Sequence, residues 1–396
     1  MSAPGSAASP AGRSVVPHLR ILRAVGFCRA AVPSANATVA ATATARTAAT
    51  AATARHAQPA SSVAARAHAA YCTVALAATS VYLVQECVYA YQERNDMDKI
   101  ARVMFLLLCH VTSISKQLVF YVHADQLEQM ILQLDCEAYN PPGQMERALL
   151  NQTASSATRL LYAYSGTAVV TCTLWLIFPI MDFVRGLPVE FAFWINVDYS
   201  RTVIFVPVLM YSFYVTTLVG IANTTMDAFM GTMLHQCKTQ LSILRIHFEN
   251  LAESAREVAK NDSNATYESV LMQLFLNCLD HYKQIIETNH RLQSLFSTAI
   301  LIQFAIGGWI LCMAAYKLVS LSAASIEFAS MTLFITCILT ELFLYCYYGN
   351  EVTVEDALAN RCACAHLQPV RDHHCPCGPQ SPLRDAKTHA QHCAHK

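Results

Sequence analysis

Residues 160–181 read Leu160-Leu161-Tyr162-Ala163-Tyr164-Ser165-Gly166-Thr167-Ala168-Val169-Val170-Thr171-Cys172-Thr173-Leu174-Trp175-Leu176-Ile177-Phe178-Pro179-Ile180-Met181, 22 residues with no charged side chain. As an α-helix this stretch is about 33 Å long at ~1.5 Å per residue, enough to cross a hydrocarbon core of about 30 Å. Apolar side chains point from it in every direction, so water cannot be its solvent on any face. The stretch is a membrane span, and it decides the class of the fold.

Working outward, the same reading recurs. Thr202–Ala222 forms the next span, and the intervening loop carries Phe191, Phe193 and Trp194, aromatic types expected at a membrane interface. Upstream, Tyr71–Tyr91 and Ile100–Val122 are two further spans joined by the charged turn Glu93–Asp98. Gln85 and Glu86 lie near the end of the first, and Lys116 lies within the second, where it reads first as a lysine snorkelling to the interface. Leu295–Tyr316, with Gly307-Gly308 for close helix approach, and Phe328–Tyr348, interrupted by Glu341, complete six spans. Glu341 reads equally as a functional intramembrane carboxylate or as a group facing a watery vestibule.

The connections between spans are also helical in pattern. Leu127, Met130, Ile131 and Leu134 keep i, i+3, i+4, i+7 spacing, which predicts an amphipathic helix before the stop Asn140-Pro141-Pro142-Gly143. Met230, Leu234, Cys237, Leu241, Leu244, Phe248 and Leu251 form one packing seam, and Leu271, Phe275, Cys278, Tyr282 and Ile285 form another. With a break at Asn261-Asp262-Ser263-Asn264, residues 226–291 predict a helical hairpin that continues the fourth and fifth spans into the cytoplasm. The fold class is therefore all-α, a polytopic membrane helical bundle of six transmembrane helices with cytoplasmic helical extensions.

Composition agrees and excludes several function classes. The chain is 54% hydrophobic and 14% charged, with 27 basic and 27 acidic residues; roughly 25% charge is usual for soluble chains. No global field points to nucleic acid. Residues 1–70 hold seven arginines and no Asp or Glu among Ala, Thr and Ser repeats, and read as an unfolded low-complexity leader. Twenty Lys and Arg residues fall on the side carrying the leader and six on the other, which places the N-terminus in the cytoplasm. Sixteen cysteines are present, but none lies in the outer loops Gln92–Asp98 and Asp182–Arg201, so no disulfide framework is expected.

No phosphate-cradle, nucleophile-elbow or zinc-protease signature occurs, and the chain is not read as an enzyme; no cofactor is expected. The tail 356–396 clusters Cys362, Cys364, His366, His373, His374, Cys375, Cys377, His389, His392 and Cys393, but its C-x-C spacing is not that of structural zinc modules, and no metal is assigned. The spans do offer large apolar side chains toward the proposed outer half: Trp175, Phe178, Met210, Phe213, Tyr214, Trp309 and Met313. Singly each suits lipid contact or helix packing; together they suit an apolar small-molecule pocket between helices.

The end of the sixth span reads Leu342-Phe343-Leu344-Tyr345-Cys346-Tyr347-Tyr348-Gly349-Asn350-Glu351-Val352-Thr353-Val354-Glu355. This closely resembles the signature of insect odorant receptors at the same place, and the resemblance extends over residues 71–355. It implies a subunit of a heteromeric ligand-gated cation channel in the plasma membrane of a sensory neuron dendrite. A small volatile ligand would bind among helices two to six, and a shared co-receptor subunit would complete the pore. It makes Thr171 and Trp175, one turn apart, the third-helix ligand contacts, and it makes the cytoplasmic ends of the later helices an intersubunit anchor. It also implies seven helices, whereas the tail after Glu355 is too charged and proline-rich to insert; the chain as written is expected to supply six spans and not to conduct. A G-protein-coupled receptor is the alternative, but Met181-Asp182-Phe183-Val184-Arg185 stands where Asp-Arg-Tyr belongs. A gustatory receptor would share the fold, and the sixth-span motif argues against it.

Overall fold

The computed structural model describes residues 9–28, 59–197, 201–261, 265–319, 321–323 and 325–371. Nine α-helices follow in chain order among these residues: α1 (Val16–Ala24), α2 (Pro59–Gln92), α3 (Met97–Val122), α4 (Ala124–Gln133), α5 (Gln144–Val184), α6 (Thr202–Glu249), α7 (Leu251–Asn261), α8 (Tyr267–Val319) and α9 (Ile326–Arg371). Six of them, α2, α3, α5, α6, α8 and α9, are long and apolar enough to cross a membrane.

Four of these six far exceed a bilayer. At ~1.5 Å per residue, α6 is about 70 Å long and α8 about 80 Å, so more than half of each must leave the ~30 Å hydrocarbon core. The excess is the expected hairpin. Cys237, Leu241, Leu244, Phe248 and Leu251 pack with Phe275, Cys278 and Ile285 in one buried cluster, joining the two seams. Polar pairs run beside it: His281 Nε2 lies 3.1 Å from Gln240 Oε1, and Gln240 Nε2 donates to the Tyr139 carbonyl at 2.8 Å. α4 forms where the amphipathic spacing places it, with Leu127, Met130 and Ile131 buried.

The structure departs from expectation at both ends. Residues 9–28 of the leader are folded rather than loose: a 3-10 turn at Gly12–Ser14 leads into α1, whose Leu19 and Leu22 are fully buried. Val15, Leu19 and Leu22 supply an apolar stripe at helical spacing, and the Ala, Thr and Ser repeats of the rest of the leader conceal it. Ala11 N donates to Asn140 Oδ1 at 2.9 Å, and Gln236 Nε2 donates to Ser14 Oγ at 2.8 Å. Asn140, in the proline turn, thereby ties the leader to the bundle. Residues 59–70 are also helical, as the start of α2, and His68 Nε2 meets the Cys28 carbonyl at 2.9 Å. At the other end, α9 continues beyond Glu355 to Arg371. Ala359 and Ala363, one turn apart, are fully buried, and small side chains there let α9 lie close along the stalk. Most of the tail's Cys/His cluster lies outside the described residues.

The aromatic loop also differs. Of the three residues assigned to the membrane interface, Phe191 and Phe193 turn inward: Phe193 packs 5.1 Å from Tyr82 and Phe191 6.1 Å from Phe205. Only Trp194 stays substantially exposed. Covering the ends of α2 and α6 buries more apolar area than an interfacial position would.

One consequence of the folded leader is a pH dependence. His18 is buried against Phe229 and lies 3.2 Å from Thr232 Oγ1. Burial, partly offset by the Ser14 backbone, pulls its pKa from 6.5 down to about 4. A released α1 would protonate His18 below pH 6.5, while the docked form takes up that proton only near pH 4. Docking is therefore fully favoured above pH 6.5 and is expected to lose about 3 kcal/mol as the pH falls toward 4. Hydrogen exchange of α1 at pH 7.5 and 5 measures this; equal protection at both values would contradict it, and the His18→Gln variant should lack the change.

Candidate functional site

Among the described residues, the transmembrane helices bury the acidic and basic side chains Glu86, His110, Lys116, Asp227 and Glu341. Lys116 on α3 is fully buried. Its ammonium donates to Asn223 Oδ1 at 2.9 Å, Asp227 Oδ1 at 2.6 Å and Glu341 Oε1 at 2.7 Å. It does not snorkel. The reason is energetic: an ammonium in a packed interior is tolerated only with opposite charge and full hydrogen bonding, and α6 and α9 supply both. Glu341 is correspondingly part of an internal ion cluster rather than a group in a vestibule. Tyr345 OH also donates to Asp227 Oδ1, at 2.5 Å. A second buried pair lies nearby, His110 Nδ1 to Glu86 Oε2 at 2.7 Å.

Beside this cluster lies a cavity of about 90 Å³ between α3, α5, α6 and α9. Trp175 and Phe334 line one end, their rings 5.4 Å apart. Glu341, Asn223 and Tyr164 line the other. Phe334 and Glu341 are seven residues apart on α9, so the cavity is about 10 Å long. α5 and α6 approach closely at its side because Gly220 has no side chain; a Cβ there would meet Cys172 Sγ at 3.4 Å. Thr171 lines the wall, one turn from Trp175.

Of the residues singled out from the sequence, the structure therefore brings Thr171 and Trp175 to the cavity. Phe178, Met210, Phe213, Tyr214, Trp309 and Met313 are not among its lining residues. Met210, Tyr214 and Trp309 are more than half exposed, as suits side chains facing lipid, while Met313 packs with Trp175 against the cluster around Phe334. Periodicity alone cannot tell the lipid face of a span from its inward face, because both are apolar. The residues that sequence reasoning missed are Asn223, Asp227 and His110. His110 shares the span of Lys116 and carried a signal, since a polar group there must find a partner, whereas Asn223 and Asp227 fall just past Ala222, the end assigned to the fourth span.

The 7tm Odorant receptor family model matches residues 96–359. Odorant receptor Or1 of Anopheles gambiae is 23% identical over 289 residues, covering 69% of this chain and 68% of that protein. Odorant receptor 46a, isoform A, of Drosophila melanogaster is 20% identical over 268 residues, covering 65% of each. The chain thus spans about two thirds of the length of these relatives. The insect olfactory receptor OR5 from Machilis hrabei shares the fold, with a TM-score of 0.68 at 15% identity over 88% of this chain and 81% of that one. The structure of that receptor in complex with eugenol matches with the same TM-score over 84% of its chain. Since the family match takes in more than half of the sequence, this chain belongs to the 7tm odorant receptor family.

Proposed function

We propose that this chain is the odorant-binding subunit of a ligand-gated cation channel, multi-pass in the plasma membrane, that assembles with a shared co-receptor. The observation that carries the reading is the cavity between α3, α5, α6 and α9, mostly apolar and closed at one end by Trp175 and Phe334. Its apolar lining suits a small volatile ligand, and the eugenol-bound relative supports that ligand class. Thr171 and Trp175 are the proposed contacts on α5.

The same geometry offers a route from ligand to channel. Glu341 lines the cavity and also holds Lys116, which ties α3 to α6 and α9. A ligand seated there bears on a strut joining three spans. α9 then continues into the stalk, where Arg245 Nε donates to Glu355 Oε2 at 3.3 Å and Val352 joins the α6–α8 seam. That stalk is the proposed surface for the co-receptor.

Assembly is tested by co-isolation. The tagged chain, expressed with the co-receptor, is expected to bring it down from detergent extracts, and small volatile odorants are expected to stabilise the complex against heat. Failure to co-isolate when both proteins reach the membrane would overturn the reading.

A further inference from the structure

The cavity's polar groups have a definite sense. Tyr164 OH donates to the Cys337 carbonyl at 3.2 Å, Thr171 Oγ1 to Thr167 O at 2.9 Å, Thr216 Oγ1 to Ser212 O at 2.8 Å and Thr224 Oγ1 to Gly220 O at 2.9 Å. A backbone carbonyl can only accept, so each of these hydroxyls has committed its one hydrogen to the protein and turns only lone pairs elsewhere. Lys116 has likewise committed all three N–H groups. His110 Nδ1 lies 2.7 Å from the Glu86 carboxylate, which can only accept; in the neutral ring, that bond leaves Nε2 as an acceptor. Glu341 Oε1 accepts from Lys116, and the Asn223 amide supplies the main N–H donor of the lining.

Charge points the same way. Asp227 and Glu341 share one ammonium, so the cluster holds one acidic group more than it holds cations. Asp227 Oδ2 is buried without a hydrogen-bond partner.

We propose that the cavity selects compact ligands that carry a hydrogen-bond donor, a hydroxyl or amine, seated at the Glu341–Asn223 end with their hydrocarbon part beneath Trp175 and Phe334. The proposal rests on this cavity being the ligand site. At about 90 Å³ the space is smaller than the ~150 Å³ that accommodates the six carbons of benzene, so molecules of roughly four or five non-hydrogen atoms fit without rearrangement. A ketone or ester of the same skeleton reaches one donor, at Asn223, and leaves Glu341 with its Lys116 bond alone. An alcohol donates to Glu341 and can accept from Asn223 as well, while an ammonium donates to Glu341 alone. A further bond to the buried acidic group is worth more than one bond to a neutral amide, and about tenfold discrimination is expected.

Three probes of one skeleton test this: 2-butanol, 2-butanone and sec-butylamine, titrated against the thermal unfolding of the purified full chain in detergent. Stabilisation by 2-butanol or sec-butylamine at about tenfold lower concentration than by 2-butanone supports the proposal. Equal effects of all three, preference for the ketone, or no shift with any of them overturns it. Comparing alcohol with amine then tells whether a neutral or a cationic donor is favoured. In Glu341→Gln, which leaves Lys116 and Asp227 as a balanced pair and adds an amide donor, the discrimination should shrink to about twofold or reverse. If that variant does not fold, the comparison on the unaltered chain still decides. Because this readout needs no co-receptor, failed co-isolation beside donor-selective stabilisation would sink the channel-subunit reading and leave the ligand preference standing.

Discussion

Lys116→Met is expected to destabilise the folded chain by about 3–5 kcal/mol, the cost of breaking a buried ion pair by removing one partner. The substitution keeps the side-chain length but leaves Asp227 and Glu341 facing each other with no cation between them. Both are nearly inaccessible, at 0% and 4% exposure, so water cannot take over the lost hydrogen bonds. Removing the charges together should cost much less, because neutral amides and a thioether of similar volume leave no unpaired ion. The triple variant Lys116→Met, Asp227→Asn, Glu341→Gln should therefore recover most of the loss. Thermal unfolding in detergent and surface labelling in cells both measure this. A single variant within about 1 kcal/mol of the unaltered chain would show that the cluster is held open to water, since exposed pairs contribute no more than that.

Trp175→Ala should raise the half-effect concentration of a small ligand by about tenfold or more, because an aromatic wall supplies much of the contact energy in apolar recognition. Its indole packs 5.4 Å from Phe334, which itself lies 6.0 Å from Phe105. Truncation therefore opens the cavity toward the cluster around Ile310 and Ala314. The loss should be unequal across ligands: compact molecules lose contact, and bulkier ones gain room. Trp175→Phe should keep most of the affinity, since a smaller ring still meets Phe334. Dose responses measured by ligand-dependent thermal stabilisation, with surface expression controlled, check both variants. An unchanged response of Trp175→Ala to every ligand that stabilises the unaltered chain would remove Trp175 from the site.

The two residues act on different links. Lys116 concerns whether α3, α6 and α9 stay together, and Trp175 concerns what fits between them. Glu341 belongs to both, and through it occupancy of the cavity could bias the packing of three spans. Close-packed helices have a few discrete arrangements rather than a continuum, so small shifts at such a strut can propagate.

Much of this molecule follows from its sequence alone. Runs such as Leu160–Met181 have no soluble solution, and a bilayer admits only helices or closed barrels, so six apolar runs of helical length determine a helical bundle. The seams through Leu241 and Leu244 and through Phe275 and Cys278 likewise determine the stalk, because helical spacing holds on whichever side of the membrane the helix lies. What sequence could not decide is which apolar face looks inward. Thr171 and Trp175 reach the cavity and Met210 and Trp309 do not, although all sit in equally apolar spans. Nor could it show that Lys116, Asp227 and Glu341 meet, since 111 and 225 residues separate the lysine from its two carboxylates. The leader misled for a related reason: Val15, Leu19 and Leu22 keep helical spacing, but they become a core element only by packing against α6. Helix existence is a local property of side chain and solvent; rotation about the helix axis, and every charge pairing that depends on it, is settled by the tertiary packing of all six spans at once.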